Sequence, residues 1–141
     1  VKKGKKKIVK ILVIYEEIVE LTRNKFVGKG IVYPAKKINN KLKRDFYNLS
    51  KKIIDKFTDF HGIISISFKL TNNGKIYPYE INLGLSGDGF ADRLFPQISP
   101  KLSLYDIETN NIYFNRFLNP KIYRNKYVCF LNNKLIIGSK K

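Results

Sequence analysis

The sequence predicts an α+β fold, a mostly antiparallel sheet packed against one long amphipathic helix. Two patterns predict it. Leu42, Phe46, Leu49, Ile53 and Phe57 recur at the three- and four-residue steps that keep one helical face apolar. Around them, β-branched and aromatic runs are separated by turn-forming Asn and Gly residues, as in strands joined by hairpins. The composition sets the scale: 141 residues, 43% hydrophobic and 13% aromatic, can bury one core and are too apolar for a disordered basic tail, despite a formal charge of +17.

Taken in order, Ile8 to Tyr15 is β-branched and apolar and reads as a strand. Glu16 to Phe26 either prolongs that strand or bends into a second one. Gly28-Lys29-Gly30 punctuates the chain, and Ile31-Val32-Tyr33 is a short extended piece before Pro34. Asn39-Asn40 can cap the helix that follows over 41–57. Lys41, Lys43, Arg44, Lys51, Lys52 and Lys56 lie mostly off its apolar stripe, as a solvated face does.

A hairpin comes next. Ile63 to Leu70 and Ile76 to Leu83 flank Thr71-Asn72-Asn73-Gly74-Lys75, whose residues accept positive φ. The glycine-rich turn Gly84-Leu85-Ser86-Gly87-Asp88-Gly89 then leads into a short amphipathic piece, Phe90 to Phe95. Residues 98–125 read as irregular, with breaks at Pro100 and Pro120. Tyr127 to Leu131 and Lys134 to Ile137 form a terminal hairpin around Asn132-Asn133. No internal repeat is present.

The charge is carried by 23 Lys and only 5 Arg, beside 19 Ile and 14 Asn. Surfaces that grip phosphates or read bases draw on the planar Arg fork, so this bias argues against a specific nucleic-acid interface. A pI near 9.9 still favours polyanions at low salt. Cys129 is the single cysteine and lies in an apolar run, which excludes an intramolecular disulfide and reads as a buried core residue. With one Cys and one His, His61, a zinc site of N and S donors cannot be assembled. The Lys-rich start is not a signal peptide, because its apolar stretch is short and is followed by Glu16-Glu17 without a cleavage site. No run approaches the length of a membrane span, and the expectation is a soluble cytoplasmic protein. The absence of Met and the Val at position 1 read as a fragment.

The window with chemistry is Ile76-Tyr77-Pro78-Tyr79-Glu80-Ile81-Asn82-Leu83-Gly84. Strand alternation sends Glu80 and Asn82 to one face, about 7 Å apart, and Tyr79, Ile81 and Leu83 to the other. A carboxylate and an amide would be left unsatisfied against apolar residues, so their face is either wet or occupied. Oxygen donors of this kind suit Mg²⁺, which takes one or two carboxylates and completes its shell with waters and phosphates. In the turn beyond, Ser86 and Asp88 are natural caps. Free N–H groups there form either a capped turn or a site for an anion, although Asp88 would compete with that anion for the positive end.

The order of helix, Gly62, strand, Asn-Asn-Gly turn, strand ending Tyr79-Glu80-Ile81-Asn82, and Gly/Ser-rich turn resembles the C-terminal subdomain of the ATP-grasp family. The resemblance covers residues from about 8 to 97 and is most specific over Gly62 to Gly89. It implies that 1–97 is part of an ATP-grasp domain and 98–141 a C-terminal extension. It also implies an ATP-dependent, Mg-requiring carboxylate–amine or carboxylate–thiol ligase acting through an acyl phosphate. On this resemblance Glu80 and Asn82 match the Mg²⁺ ligands, Tyr79 a position near the nucleotide base, and Ser86 and Gly87 the substrate-binding loop. Ser67 stands where the family usually has a further acidic or amide ligand, and Gly84 where many members have Arg. The implied partners are ATP, a small-molecule carboxylate and the remaining N-terminal part of the domain, whose lysines and nucleotide hinge complete the site. The chain alone is therefore expected to bind Mg-ATP weakly. The competing class is a non-catalytic basic module, a degenerate remnant or a polyanion binder, which Ser67 and Gly84 favour.

Overall fold

The structure is a computed structural model that describes residues 9–36, 38–57, 59–132 and 134–139. Strands β1 (Glu16–Thr22) and β2 (Lys25–Tyr33) precede helix α1 (Asn40–Ile54). Strands β3 (Ile64–Leu70) and β4 (Ile76–Leu83) follow, then a π-helical turn (Phe90–Leu94) running into α2 (Phe95–Ile98), helix α3 (Leu104–Phe114), and strands β5 (Lys126–Leu131) and β6 (Lys134–Ser139). The strands form two sheets, a four-stranded one in the order β1-β2-β5-β6 and the hairpin β3-β4, and all pairings are antiparallel.

The chain's beginning differs from expectation. Residues 9–15 run without ladder partners, and the first strand starts at Glu16; Ile8 lies outside the described residues. The apolar character of this stretch reflects burial, because Leu12, Val13 and Tyr15 pack on the core. β1 turns into β2 through Arg23-Asn24, both at positive φ (49° and 63°), the geometry that a two-residue hairpin needs to match strand twist. Gly28-Lys29-Gly30 does not interrupt β2. The register shifts there, with Ile18 opposite Gly30 and Val19 opposite Gly28, so Lys29 is the extra residue of a bulge. Gly30 is needed because β5 passes very close: a Cβ at this position would fall 2.9 Å from Leu131 Cα and closer still to the Phe130 carbonyl oxygen.

α1 begins where Asn39 Oδ1 accepts the Leu42 N–H at 2.9 Å, a side-chain N-cap. Phe46 is buried and meets Phe68 of β3 edge-on, 5.0 Å between ring centroids. The core proper lies elsewhere, between β2, β5, α3 and the segment from Phe90 to Ile98. Leu94, Phe95, Ile98, Ile107 and Val128 are all fully buried there. Residues on both sides of position 97 thus share one core.

α1 is not the sole helix. Within the stretch expected to be irregular, α3 spans 11 residues. Ser103 and Asp106 form a reciprocal capping box at its start, Asp106 N–H donating to Ser103 Oγ (3.0 Å) and Ser103 N–H to Asp106 Oδ2 (3.1 Å). The fully buried Ile107 then anchors it to the core. The terminal hairpin expected at 127–137 is present as β5 and β6, and it is joined to the rest by β2, with Ile31 opposite Phe130 and Tyr33 opposite Val128. Asn133 of its turn lies outside the described residues.

Candidate functional site

β4 carries the candidate site on its polar cross-strand rows. Asn82 stands opposite Ser65 and Glu80 opposite Ser67, so Glu80 and Asn82 share a face, as alternation requires. Glu80 is exposed and accepts a long hydrogen bond from Ser67 Oγ (3.4 Å); Asn82 is half-buried. Ser67 therefore occupies the row adjoining Glu80.

Tyr79 departs from the expected alternation. The ladder slips between Ser67 and Phe68, where Phe68 pairs with Pro78, so Tyr79 is an additional residue bulging from β4. The bulge re-aims its side chain. The Tyr79 hydroxyl donates to Glu17 Oε2 at 3.2 Å and also reaches Ser67, the hydroxyl that contacts Glu80. Tyr79 thus joins Glu80 on the polar side rather than Ile81 and Leu83. Partial desolvation, the Glu17 charge and the Glu80 charge push its phenol up, against a lowering contribution from Ser67.

Glu17 carries no local sequence signal as a site residue. It comes from β1 and couples the two sheets through Tyr79. Its carboxyl is raised from the ordinary value by desolvation and by the charges of Asp88 and Glu80, while the Tyr79 hydrogen bond lowers it. Glu17 thus lies within reach of the charges of both Asp88 and Glu80. Among the described residues, however, no three His, Cys, Asp or Glu side chains converge as a metal's ligands would. Any cation held at Glu80 and Asn82 would rely on one carboxylate and one amide, a donor set that suits Mg²⁺ completed by waters and phosphates.

The turn after β4 is built around Asp88. Asp88 Oδ1 accepts the Ser86 hydroxyl (2.9 Å) and the Phe90 N–H (2.9 Å), and Oδ2 accepts the Tyr15 hydroxyl (2.5 Å). The expected cap is present, and its second oxygen is engaged by a residue far away in sequence. Desolvation, with the hydrogen bond to Asp88 and that residue's charge, raises the Tyr15 phenol far above its ordinary value. Gly84 sits at φ 136°, and a Cβ there would lie 3.6 Å from Glu108 Oε1. Burial raises the Glu108 carboxyl. A carboxylate thus neighbours the position where the resemblance puts Arg.

A groove of about 1370 Å³ runs between β3 and residues 9–17, with Tyr15, Glu17, Ser67, Tyr79 and Ser86 on its walls. Glu80, Asn82 and Gly87 lie outside that lining. Strand alternation points to Glu80 and Asn82, and the family resemblance adds Tyr79, Ser86 and Gly87; neither carries a signal for Tyr15, Glu17 or Glu108, which reach the site only through tertiary packing. Among the described residues no helix is long and apolar enough to cross a membrane.

No protein-family model matches the chain, and no curated protein matches its sequence. Among solved structures, the chain is similar to N5-carboxyaminoimidazole synthase from Aspergillus clavatus, an ATP-grasp enzyme solved in complex with ADP and 5-aminoimidazole ribonucleotide. The TM-score is 0.59 at 16% identity, and the match covers 82% of this chain and 30% of that one. At this identity the likeness is one of fold: the chain is an α+β structure similar to part of that enzyme, and it spans less than a third of its neighbour's length.

Proposed function

We propose that the chain is part of an ATP-dependent carboxylate–amine or carboxylate–thiol ligase that activates its carboxylate as an acyl phosphate. The supporting observation is a combination: a fold similar to an ATP-grasp enzyme, in which Glu80-x-Asn82 at the end of β4 leads directly into the Ser86–Gly87 turn. Glu80 and Asn82 would hold Mg²⁺, Tyr79 would lie toward the nucleotide, and Ser86 and Gly87 would meet the carboxylate substrate. The chemistry supplied by a bound Mg²⁺ is shielding of the ATP phosphates and of charge developing on them. The chain's own part is geometric. Ser67 orients the Glu80 carboxylate, and the bulge at Tyr79 presents a phenol on the same side as that carboxylate. The remainder of the nucleotide site belongs to the preceding part of the domain, and a cytoplasmic setting fits such a ligase.

The experiment is Glu80→Ala in the full-length protein, with ADP release from Mg-ATP as readout and far-UV circular dichroism as the folding control. Glu80 is exposed and its one hydrogen bond is long, so the variant is expected to fold and to lose turnover. Unchanged turnover refutes the assignment. One observation favours the second reading, a non-catalytic basic module: at the metal position Glu80 is the single carboxylate, with Ser67 beside it, and Glu108 lies near Gly84, where many members of the family have Arg. A wild-type protein that releases no ADP yet binds DNA with a steep, sequence-independent salt slope would support that module instead.

A further inference from the structure

Tyr15 is remote in sequence from the Gly84–Gly89 turn, yet both parts of its side chain are tied to it. Its ring stacks on Phe90 with centroids 4.3 Å apart and planes 8° from parallel. Its hydroxyl donates to Asp88 at 2.5 Å and lies 3.3 Å from Ser86 Oγ. Asp88 is thereby held by three donors, from Tyr15, Ser86 and the Phe90 backbone. Hydrogen bonds to an ionised acceptor are short and directional, so a carboxylate held from both oxygens has little rotational freedom. The backbone N–H groups of Ser86 and Gly87, by contrast, donate to no acceptor among the described residues. The turn is thus restrained through its side chains while two of its backbone donors stay open.

We propose that Tyr15 is a positioning residue of the Ser86–Gly87 turn, acting through Asp88 to fix the backbone that would meet the substrate. The assignment rests on the ligase function proposed above. Asp88 serves as the internal anchor of the turn. Its oxygens are turned toward Tyr15, Ser86 and Phe90, and the segment before β1 becomes a structural part of the substrate loop.

Tyr15→Phe in the full-length protein keeps the ring on Phe90 and removes the hydroxyl; Asp88→Asn keeps the shape and removes the charge. Amide hydrogen exchange is read by NMR at Phe90, whose N–H donates to Asp88, with Ile31 and Ile107 as core references. The expected result is exchange about ten-fold faster at Phe90 for either variant, the scale of one weakened hydrogen bond to a charged group, with the references unmoved. ADP release from Mg-ATP gives the second readout, with kcat expected to fall several-fold while KM for ATP holds. Unchanged exchange in both variants overturns the proposal, and so does faster exchange with unchanged kcat, which would leave Tyr15 a brace and nothing more. If Tyr15→Phe does not fold, Asp88→Asn carries both measurements. A wild-type protein that releases no ADP would remove the ligase function, and the exchange data would still decide whether Tyr15 holds the turn.

Discussion

Gly28 and Gly30 lie two residues apart in β2 and are expected to respond oppositely to the same substitution. A methyl group at Gly30 would stand 2.9 Å from Leu131 Cα and the Phe130 carbonyl carbon, whereas nothing lies within 4 Å of one at Gly28. Carbon atoms pack best at about 3.5–4.0 Å, so β2 and β5 would have to part by roughly half an ångström or more at Gly30. Both obstructing atoms are backbone, and no rotamer change relieves the overlap. Overpacking of this kind costs about 1–3 kcal/mol. Opening the strands also strains the end of their ladder, where Asn132 N–H donates to Lys29 at 3.0 Å. That bond is worth about 1 kcal/mol. Against these stands the gain of replacing Gly in a strand, about 0.5–1 kcal/mol. Gly30→Ala is therefore expected to destabilise by about 1–3 kcal/mol, and Gly28→Ala to be neutral or stabilising by up to about 1 kcal/mol. At roughly 3–5 °C per kcal/mol for a chain of this size, Tm falls by about 3–15 °C for Gly30→Ala alone. Thermal melts and urea titrations of the two variants measure this directly. Equal stability of Gly28→Ala and Gly30→Ala would refute the steric account of the β2–β5 contact.

Two further outcomes are expected. Ile107→Ala removes a fully buried side chain from α3 and is expected to cost about 2–5 kcal/mol by urea denaturation; a loss under about 1 kcal/mol would mean that α3 does not anchor in the core. Asp106 is held below the ordinary carboxylate range by the Ser103 hydroxyl and then by the Ser103 N–H, so its contribution is complete above the unfolded value and is lost as pH falls through the lower folded one. Asp106→Asn should thus melt below wild type at neutral pH and converge with it in acid, and a Tm gap independent of pH would contradict the capping box.

How far the fold can be read from sequence depends on whether the signal is local. The 42–57 stripe and the 63–83 hairpin are local patterns, and α1, β3 and β4 lie where those patterns put them, with α1 ending three residues sooner. The apolar run before Glu16 reports burial, and burial alone does not distinguish a strand from an extended segment packed on a core. α3 has little apolar periodicity, yet Ser103-Leu104-Tyr105-Asp106 carries the spacing of a capping box, a cue that Pro100 and the neighbouring Asn residues obscure. In the site, two-residue alternation places Glu80 and Asn82 correctly and fails at Tyr79, because a bulge adds one residue to the count. Tyr15 and Glu17 have no local signature, since their partners lie 73 and 62 residues away.

The pairing of β2 with β5 also bears on how the chain is made. Ile31 pairs with Phe130 and Tyr33 with Val128, so one flank of β2 stays vacant until nearly 100 further residues have been synthesised. At roughly 5–20 residues per second that is on the order of 5–20 s during which the β1–β2 hairpin can form with Ile31, Val32 and Tyr33 still uncovered. β5, made after every element from β1 to α3, is the strand that covers this flank of the core. Truncation or stalling before residue 126 would therefore leave a sticky hairpin, a ready client for chaperones, however well the rest of the polypeptide had folded.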